Sequence, residues 1–202
     1  VLFRGEDGAA RVLDAHCTHL GAHLGHGGEV VGNCIRCPFH HWLFEGGGAC
    51  VDIPYSRRKI PLLARMRSWP VVERDRAIFV WHDALGRDPQ WQLPRVEDLA
   101  GGDFGPFHRI DRVARFHCQE IRENGVDPSH FATIHRLDPM EFGAEANGHV
   151  FHQSSRLQAP VGPRATEDTA LDVYYYGLGY SMAHSRIGDL QILVLSYSTP
   201  LD

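Results

Sequence analysis

Short runs of strand-forming residues, separated by turn residues, fill the first part of the chain. The runs are only two to five residues long, and glycine, asparagine or aspartate stands at most of the breaks between them. This alternation is typical of small antiparallel sheets joined by tight turns. The predicted strands of this all-β module, residues 1–82, lie at 1–4, 10–14, 30–31, 34–36, 42–44, 71–73 and 77–81, and the last two form a hairpin with its turn at Arg74 and Asp75.

The pattern changes after this module. Residues 83–106 are rich in proline, glycine and aspartate and are expected to form a linker. Strand-forming residues over 108–119 predict a strand. A helix is expected to begin at Asp127 and to reach His135, because aspartate is a good N-cap and the proline that follows is tolerated in a first helical turn. Further strands are predicted at 150–157, 171–176 and 190–196, so the chain as a whole is α+β, with a second domain over 107–202.

Composition and charge exclude several classes of protein. The net charge is −5, which gives no electrostatic reason to expect binding to nucleic acid. Apolar runs such as 192–195 are far shorter than the roughly 18 residues of a membrane span. Five cysteines are an odd number, which argues against a secreted disulfide framework and favours a reducing, cytoplasmic location.

Both ends of the chain lie in strand-like sequence. The first residues already form a strand that enters a turn, and the last predicted strand is followed by no closing helix. We therefore expect an internal fragment of a longer protein. Any association with a membrane would come from a segment that precedes Val1.

Two cysteines and two histidines form a mirrored pair of short motifs. Cys17 and His19 are separated by one residue, and Cys37 and His40 by two. Two thiolates and two imidazoles are the protein ligands of a [2Fe–2S] cluster in which histidine replaces cysteine on one iron. Cys17 and Cys37 would hold the buried iron and the histidines the outer one, while glycines in the first loop let backbone amides approach the sulfides.

Zinc is the alternative occupant of this ligand set. Two cysteines and two histidines also suit a tetrahedral zinc ion, and Cys34 and Cys37 have the spacing of half a zinc knuckle. The Cys-x-His spacing is shorter than the usual pairs of a zinc finger, however. The glycine-rich loops and the trailing Trp42 favour the iron–sulfur interpretation.

The two motifs resemble the Rieske domain of Rieske non-haem iron oxygenases. The matching segments are Cys-Thr-His-Leu-Gly at 17–21 and Cys-Pro-Phe-His-His-Trp at 37–42. Respiratory Rieske proteins have two further cysteines where this chain has Ala22 and Phe39, so the disulfide of that class cannot form and the oxygenase type is favoured. One departure is His41, where many relatives have glycine.

A second pair of histidines, His130 and His135, is a candidate for mononuclear non-haem Fe(II). Such sites use two histidines and one carboxylate on one face of the metal. Residues five apart on a regular α-helix point about 140° away from each other, so both can face one metal only across a wide turn or π-bulge. Two unrelated helix histidines are the alternative.

The segment from 123 to 135 is similar to the iron motif of the same oxygenases, and that resemblance implies roles for further residues. Asp127 would bridge the Rieske histidine of one subunit and the iron-bound histidine of its neighbour in a head-to-tail homotrimer, although it could also be only an N-cap. Asn124 would lie near the iron. The family's third ligand is a downstream aspartate on a helix, and we expect it beyond Asp202.

The resemblance also implies a fold and a reaction. The second domain would be part of a helix-grip catalytic domain, an antiparallel sheet with helices. Electrons from NAD(P)H would arrive through a separate reductase or ferredoxin, because the chain has no dinucleotide fingerprint. O₂ would then oxidise an organic substrate. The non-enzymatic alternative is a Rieske-type electron-transfer protein, for which residues 1–82 would suffice.

Several segments are similar to the steroid-oxidising branch of the family, above all to sterol 7-desaturases of the Neverland type. The 3-ketosteroid 9α-hydroxylase oxygenase components are the alternative, so hydroxylation and desaturation both stay open. These segments are 52–55, 67–70, 79–82, 117–127, 161–163 and 198–200. Candidates to line an apolar cavity for a steroid or sterol, each also explained by ordinary sheet packing, are Phe142, Phe151, Tyr174, Tyr175, Tyr176, Leu178 and Tyr180.

Overall fold

The computed structural model describes residues 1–96, 99, 104–162 and 165–201. The chain divides into two compact units, Val1–Pro106 and Phe107–Asp202. The boundary between them falls at the end of the segment that we expect to be a linker. Each unit is built mainly from antiparallel strands, in agreement with the α+β fold class that the sequence predicts.

Three small sheets make up the first unit. The first sheet has the order β1–β2–β7, the second β3–β4–β5–β6 and the third β8–β9. Their strands are Leu2–Arg4 (β1), Ala10–Leu13 (β2), Glu29–Val31 (β3), Cys34–Arg36 (β4), Leu43–Glu45 (β5), Cys50–Asp52 (β6), Ser68–Trp69 (β7), Val71–Arg74 (β8) and Ala77–Val80 (β9). The seven predicted strands are present. Strands β6 and β7 were not predicted: β6 pairs with β5 across a register shift, and β7 pairs with β2, which is far away in sequence.

The turn between β8 and β9 lies one residue later than the sequence predicts. Strand β8 extends through Arg74, and the two turn residues are Asp75 and Arg76, with φ of 50° and 62°. Two-residue hairpin loops favour positive φ at both central positions because that backbone matches the twist of the flanking strands. The expected turn at Arg74 and Asp75 is therefore wrong by one position.

The core of the first unit surrounds the candidate cluster ligands. Phe44, Leu13 and Leu24 are at most 1% exposed, and Cys17 and Cys37 belong to the same buried cluster. Burial of the large apolar side chains stabilises the unit by about 1.5–3 kcal/mol each. The two thiols are thus held by the packing of the core itself.

A single five-stranded antiparallel sheet forms most of the second unit. Its order is β10–β11–β12–β13–β14, so every strand pairs with its neighbour in sequence. The strands are Asp138–Asn147 (β10), Val150–Gly162 (β11), Ala165–Tyr176 (β12), Tyr180–Ile187 (β13) and Leu190–Tyr197 (β14). Three of the five were predicted, in shorter form, and β10 and β13 were not.

A helical segment precedes this sheet. It consists of helix α1 (Cys118–Glu123), a 3₁₀ turn (Asn124–Val126), the short helix α2 (Pro128–His130) and a π turn (Phe131–His135). The strand expected over 108–119 is wrong: residues 108–117 form no strand, and α1 begins at Cys118. Val113 is 84% exposed there. Strand-forming residues form a strand only where a neighbouring strand pairs with them, and residues 108–117 pair with none in the described part of the chain.

Arg122 ties helix α1 to the sheet. Its guanidinium donates hydrogen bonds to Ser181 Oγ (2.9 Å) and to the Leu178 carbonyl oxygen (2.8 Å), and it lies 5.1 Å from the centre of the Tyr175 ring. Burial lowers the pKa of the Arg122 guanidinium. Gly125 packs against the Tyr175 hydroxyl from the adjoining 3₁₀ turn, so the ring is held on two sides.

Within the described part of the chain, no helix combines the length and the apolar character that crossing a bilayer requires.

Replacing Gly125 by alanine should destabilise the second unit. The added methyl group would overlap the Tyr175 hydroxyl and lie 2.9 Å from Cζ, while Arg122 holds the ring in place. We expect a loss of about 1–3 kcal/mol in the free energy of unfolding, as for other overpacked sites. The control is Gly179→Ala in the same unit, since a methyl group there would make only an ordinary contact, with the Ser198 carbonyl oxygen at 3.7 Å, among the described residues. Equal denaturation midpoints for the two variants would contradict this packing.

Candidate functional site: a paired-loop cluster site and a histidine pair

The two loops that carry the Cys and His motifs close in the same way. The Cys17 amide donates to the Ala22 carbonyl (2.9 Å), and the Cys37 amide donates to the Trp42 carbonyl (2.8 Å). The Cys17 carbonyl accepts from the Gly21 amide, as the Cys37 carbonyl does from His41. Each cysteine therefore begins a tight loop that ends five residues later.

Each loop ends at a residue in the left-handed backbone conformation. This explains why many relatives have glycine at the position of His41. Gly21 has φ of 76° and His41 has φ of 60°, at matching positions of the two loops. Glycine adopts this backbone readily, whereas an L-residue with a side chain is strained there. The sequence does not reveal the match, because the two motifs have different spacings between cysteine and histidine.

The structure brings the four predicted cluster ligands together. Cys17 and Cys37 are 3% and 1% exposed, and the rings of His19 and His40 meet edge to face at 4.7 Å between centres. Burial raises the pKa of the Cys17 thiol to about 11, and its hydrogen bond with the Cys37 thiol adds to the rise. Two buried thiols can ionise side by side only if a cation shares their charge.

The donor atoms fit a [2Fe–2S] cluster. His19 Nδ1 is buried and has no hydrogen-bond partner among the described residues, which leaves its lone pair available to a metal. Within those residues, no three His, Cys, Asp or Glu side chains converge on one metal position. A tetrahedral zinc ion needs four ligands at one point, whereas the cluster needs two protein ligands on each iron. The cysteine pair and the histidine pair match the division that the cluster needs.

Trp42 supports the ligand shell. Its ring stacks on His19 with 4.5 Å between centres and an angle of 7° between planes, and its indole Nε1 donates to the Tyr55 hydroxyl at 2.7 Å. Such outer contacts orient metal-binding histidines. The sequence predicts a role for Trp42 near the motif, but nothing in it predicts the bond to Tyr55.

The second site forms across the π turn. His130 Nε2 and His135 Nε2 lie 3.0 Å apart, although the residues are five positions apart. The backbone widens to allow this: Arg136 N–H and Leu137 N–H both donate to the Phe131 carbonyl, and Arg136 adopts a left-handed backbone with φ of 57°. The sequence prediction that a π-bulge must unite these two imidazoles is confirmed in its geometry.

Asp127 begins the helix that carries this pair. Its carboxylate accepts hydrogen bonds from Ser129 N (2.9 Å) and from the Ser129 hydroxyl. The bond from Ser129 holds the pKa of the Asp127 carboxyl below its ordinary value. The predicted N-cap is confirmed, and the side chain is also exposed to solvent.

No third ligand accompanies the histidine pair in the described part of the chain. No Asp or Glu there forms a group of three with His130 and His135, and Asp202 lies outside the described residues. Asn124 lines an open cleft formed by one face of helix α1, together with His117, Gln119, Glu120 and Glu123.

The candidate lining residues divide into two groups. Tyr175, Tyr176 and Tyr180 are buried, but Tyr175 packs against Gly125, and Tyr176 stacks on Tyr180 at 5.5 Å. These contacts are ordinary sheet packing. The more exposed candidates include Phe142 (36%) and Leu178 (43%). Of the segments similar to steroid-oxidising relatives, 161–163 ends at Pro163, which lies outside the described residues.

Comparison with known families decides what kind of protein contains these two sites. Residues 1–70 match the Rieske [2Fe-2S] domain, and residues 80–202 match the 3-ketosteroid 9alpha-hydroxylase C-terminal domain. The chain belongs to the Rieske oxygenase family. Both predicted cofactors, the [2Fe–2S] cluster and non-haem iron, agree with this membership.

Among curated proteins, the Rieske oxygenase chain is similar to two kinds of steroid-related enzyme. It is 43% identical to cholesterol 7-desaturase nvd 1 of Ciona intestinalis over 134 residues, which cover 66% of this chain and 28% of the relative. It is 42% identical to a probable 3-ketosteroid-9-alpha-monooxygenase oxygenase component of Rhodococcus rhodochrous over 191 residues, 89% of this chain and 47% of the relative. The chain thus spans about half or less of these relatives.

Solved structures agree on the fold. Dicamba monooxygenase bound to dicamba matches 96% of this chain, with a TM-score of 0.70, and the match covers 63% of that structure. The sequence identity is 22%, so this likeness concerns architecture alone. It agrees with the sequence prediction of a Rieske domain followed by part of a helix-grip domain.

Replacing His41 by glycine should leave the cluster site intact and should not lower its stability. Glycine removes the strain of φ 60°, and we expect a gain between zero and about 1 kcal/mol in the free energy of unfolding, after the entropy cost of glycine. His41→Val is the matched opposite and should lose about 1–2 kcal/mol. Thermal unfolding, with iron and sulfide content measured in parallel, checks both. A destabilised glycine variant would show that the His41 side chain itself stabilises the loop.

Proposed function

We propose that this chain is part of the oxygenase component of a Rieske-type monooxygenase or desaturase that oxidises a steroid or sterol. The observation that carries the proposal is the pair His130 and His135, brought within 3.0 Å by a π turn in a chain that also contains a Rieske ligand set. An electron-transfer protein needs only the cluster. The second unit, with its own candidate metal site, favours an enzyme.

Cys17, His19, Cys37 and His40 would hold the [2Fe–2S] cluster, and His130 and His135 would hold mononuclear Fe(II). When bound, the cluster supplies single electrons and the iron supplies the activation of O₂. The core packing of Cys17 and Cys37 would exclude water from the thiolate side of the site. The imidazoles of His19 and His40 are less buried, so electron exchange with other groups would occur on their side.

Asp127 and Asn124 are the proposed residues around the iron. Asp127 would connect a Rieske histidine of one subunit with an iron-binding histidine of the next, which requires a head-to-tail homotrimer. Its carboxylate is exposed, and the hydrogen bonds from Ser129 N and Oγ both go to Oδ1. Oδ2 would therefore accept a hydrogen bond from the N–H of a neighbouring imidazole.

The relatives support the substrate class and the partners. They include a cholesterol 7-desaturase and a 3-ketosteroid-9-alpha-monooxygenase oxygenase component, so we propose a steroid or sterol, O₂ and an NAD(P)H-dependent reductase or ferredoxin. Desaturation is the first candidate reaction and 9α-hydroxylation the second. In this proposal, residues 1–82 are the Rieske domain, 83–106 the linker and 107–202 part of the catalytic domain, working in the cytoplasm.

Metal analysis and EPR test the cofactor assignment. The purified protein should contain acid-labile sulfide and iron, and on reduction it should give the EPR signal of a mixed-ligand [2Fe–2S] cluster. Cys37→Ala should abolish both the sulfide and the signal, whereas Cys34→Ala, at a cysteine outside the ligand set, should keep them. Zinc in place of iron, or no signal in the reduced protein, would refute the proposal.

Replacing Asp127 by asparagine tests the bridge. Asparagine caps a helix as well as aspartate does, so the fold and both metals should be retained. In the full-length protein, the loss of the carboxylate should lower steroid oxidation by about 10- to 100-fold, the range for partners of metal ligands. Asp127→Ala also removes the cap and should cost about 1 kcal/mol of stability in addition. Unchanged turnover in the asparagine variant would eliminate the bridging role and leave only the cap.

A further inference from the structure

The segment 53–67 of the first unit is the most one-sidedly charged stretch of the chain. In a protein of net charge −5, its five charged residues are all cations, and no Asp or Glu occurs between Asp52 and Glu73. All five are exposed to solvent. We call this segment the basic segment; its cations are Arg57, Arg58, Lys59, Arg65 and Arg67.

These cations differ from several other arginines of the same unit. Arg4, Arg11 and Arg36 each form an ion pair with a carboxylate, at 2.5–3.0 Å. The basic segment forms no ion pair with any part of the chain that the structure describes. Arg67 instead lies over the Trp69 ring at 3.7 Å, and Arg65 donates to the Gly47 carbonyl. The positive charge is thus left for a partner.

Apolar side chains occupy the middle of the basic segment. Leu62 and Leu63 are 94% and 92% exposed, with cations on both sides of them in sequence. The backbone around them is fixed, since Ile53, Ala64 and Met66 are buried in the core of the unit. An exposed apolar centre with a charged surround, on a rigid support, is the composition of a protein-binding surface.

The basic segment is connected to the cluster site by two direct contacts. Its Tyr55 hydroxyl accepts a hydrogen bond from Trp42 Nε1 at 2.7 Å, and the Trp42 ring stacks on His19. A partner that covers Tyr55 would be separated from a cluster ligand by only these two aromatic side chains. This favours a partner that exchanges electrons with the cluster.

We propose that the basic segment is the docking surface for the electron donor, an acidic iron–sulfur or flavin protein that delivers electrons to the cluster by way of Tyr55 and Trp42. The proposal rests on the proposed oxygenase function. Opposite charge would steer the donor to this face and raise its association rate, and salt would weaken that steering. Leu62 and Leu63 would then be buried in the complex.

A charge-neutralised variant tests the docking surface in the holoprotein. The variant is Arg57→Gln, Arg58→Gln and Lys59→Gln together, and the probe is a reduced, acidic plant-type [2Fe–2S] ferredoxin in stopped flow. We expect the second-order rate of cluster reduction to fall about tenfold at low salt, and the difference to vanish at high salt. Reduction by dithionite, which needs no docking, should be unchanged.

A matched control separates local from general charge effects. Arg109→Gln, Arg112→Gln and Arg115→Gln remove the same charge from exposed positions of the second unit and should leave the rate at the wild-type value. Equal effects of the two triple variants would overturn the proposal. So would a wild-type rate that does not depend on salt, or no reduction by ferredoxin of a cluster that dithionite reduces.

Other occupants of the surface have distinct signatures. Flotation with phosphatidylserine vesicles that the basic-segment variant loses, while its reduction rate stays unchanged, would assign the surface to a membrane instead. Dissociation of the oligomer in the variant would assign it to a second copy of the chain. A protein without a dithionite-reducible cluster would refute the proposed function itself, which is a different result from slow reduction by ferredoxin alone.

Discussion

Two thiols packed side by side in a protein core constrain the whole first unit. Cys17 and Cys37 are nearly inaccessible to water, and the same core contains Leu13, Leu24 and Phe44. Their ionised forms would be strongly unfavourable there without a cation between them. The surrounding loops provide for that cation: both close with the same backbone hydrogen bonds, and they bring His19 and His40 together. The short strands serve chiefly to hold these two loops face to face.

The second unit solves a different geometrical problem. Two imidazoles five residues apart must point the same way, and a regular α-helix does not allow it. The wider π turn, anchored by buried Phe131 and ended by Arg136 in a left-handed backbone, supplies the needed rotation. The helical segment is in turn attached to the sheet through the hydrogen bonds of Arg122. The position of the two imidazoles thus depends on the contacts of Arg122, at the opposite end of the helical segment.

Most of the local structure around the sites could be predicted from the sequence, because ligand spacing and turn residues are local signals. The candidate cluster ligands, the N-cap at Asp127 and the need for a π-bulge all follow from short motifs. Strands β6 and β7 could not be predicted, since β6 pairs with β5 across a register shift and β7 pairs with a strand far away in sequence. The expected strand at 108–119 was wrong because Val113 and its neighbours have the propensity but no pairing partner. The equivalence of His41 with Gly21 is seen only in the backbone hydrogen bonds that close the two loops. The sequence conceals it, because the spacing between cysteine and histidine differs between the two motifs.

The connectivity of the strands has a consequence for how the chain folds. In the second unit every strand pairs with its neighbour in sequence, so the sheet can grow one hairpin at a time with little loss of loop entropy. In the first unit Val12 must pair with Trp69, and the loops that carry all four candidate cluster ligands lie between these two residues. Proteins dominated by such distant pairings fold more slowly. Assembly of the cluster and formation of the β2–β7 pairing are therefore expected to be coupled. The sheet of the second unit is expected to form before either.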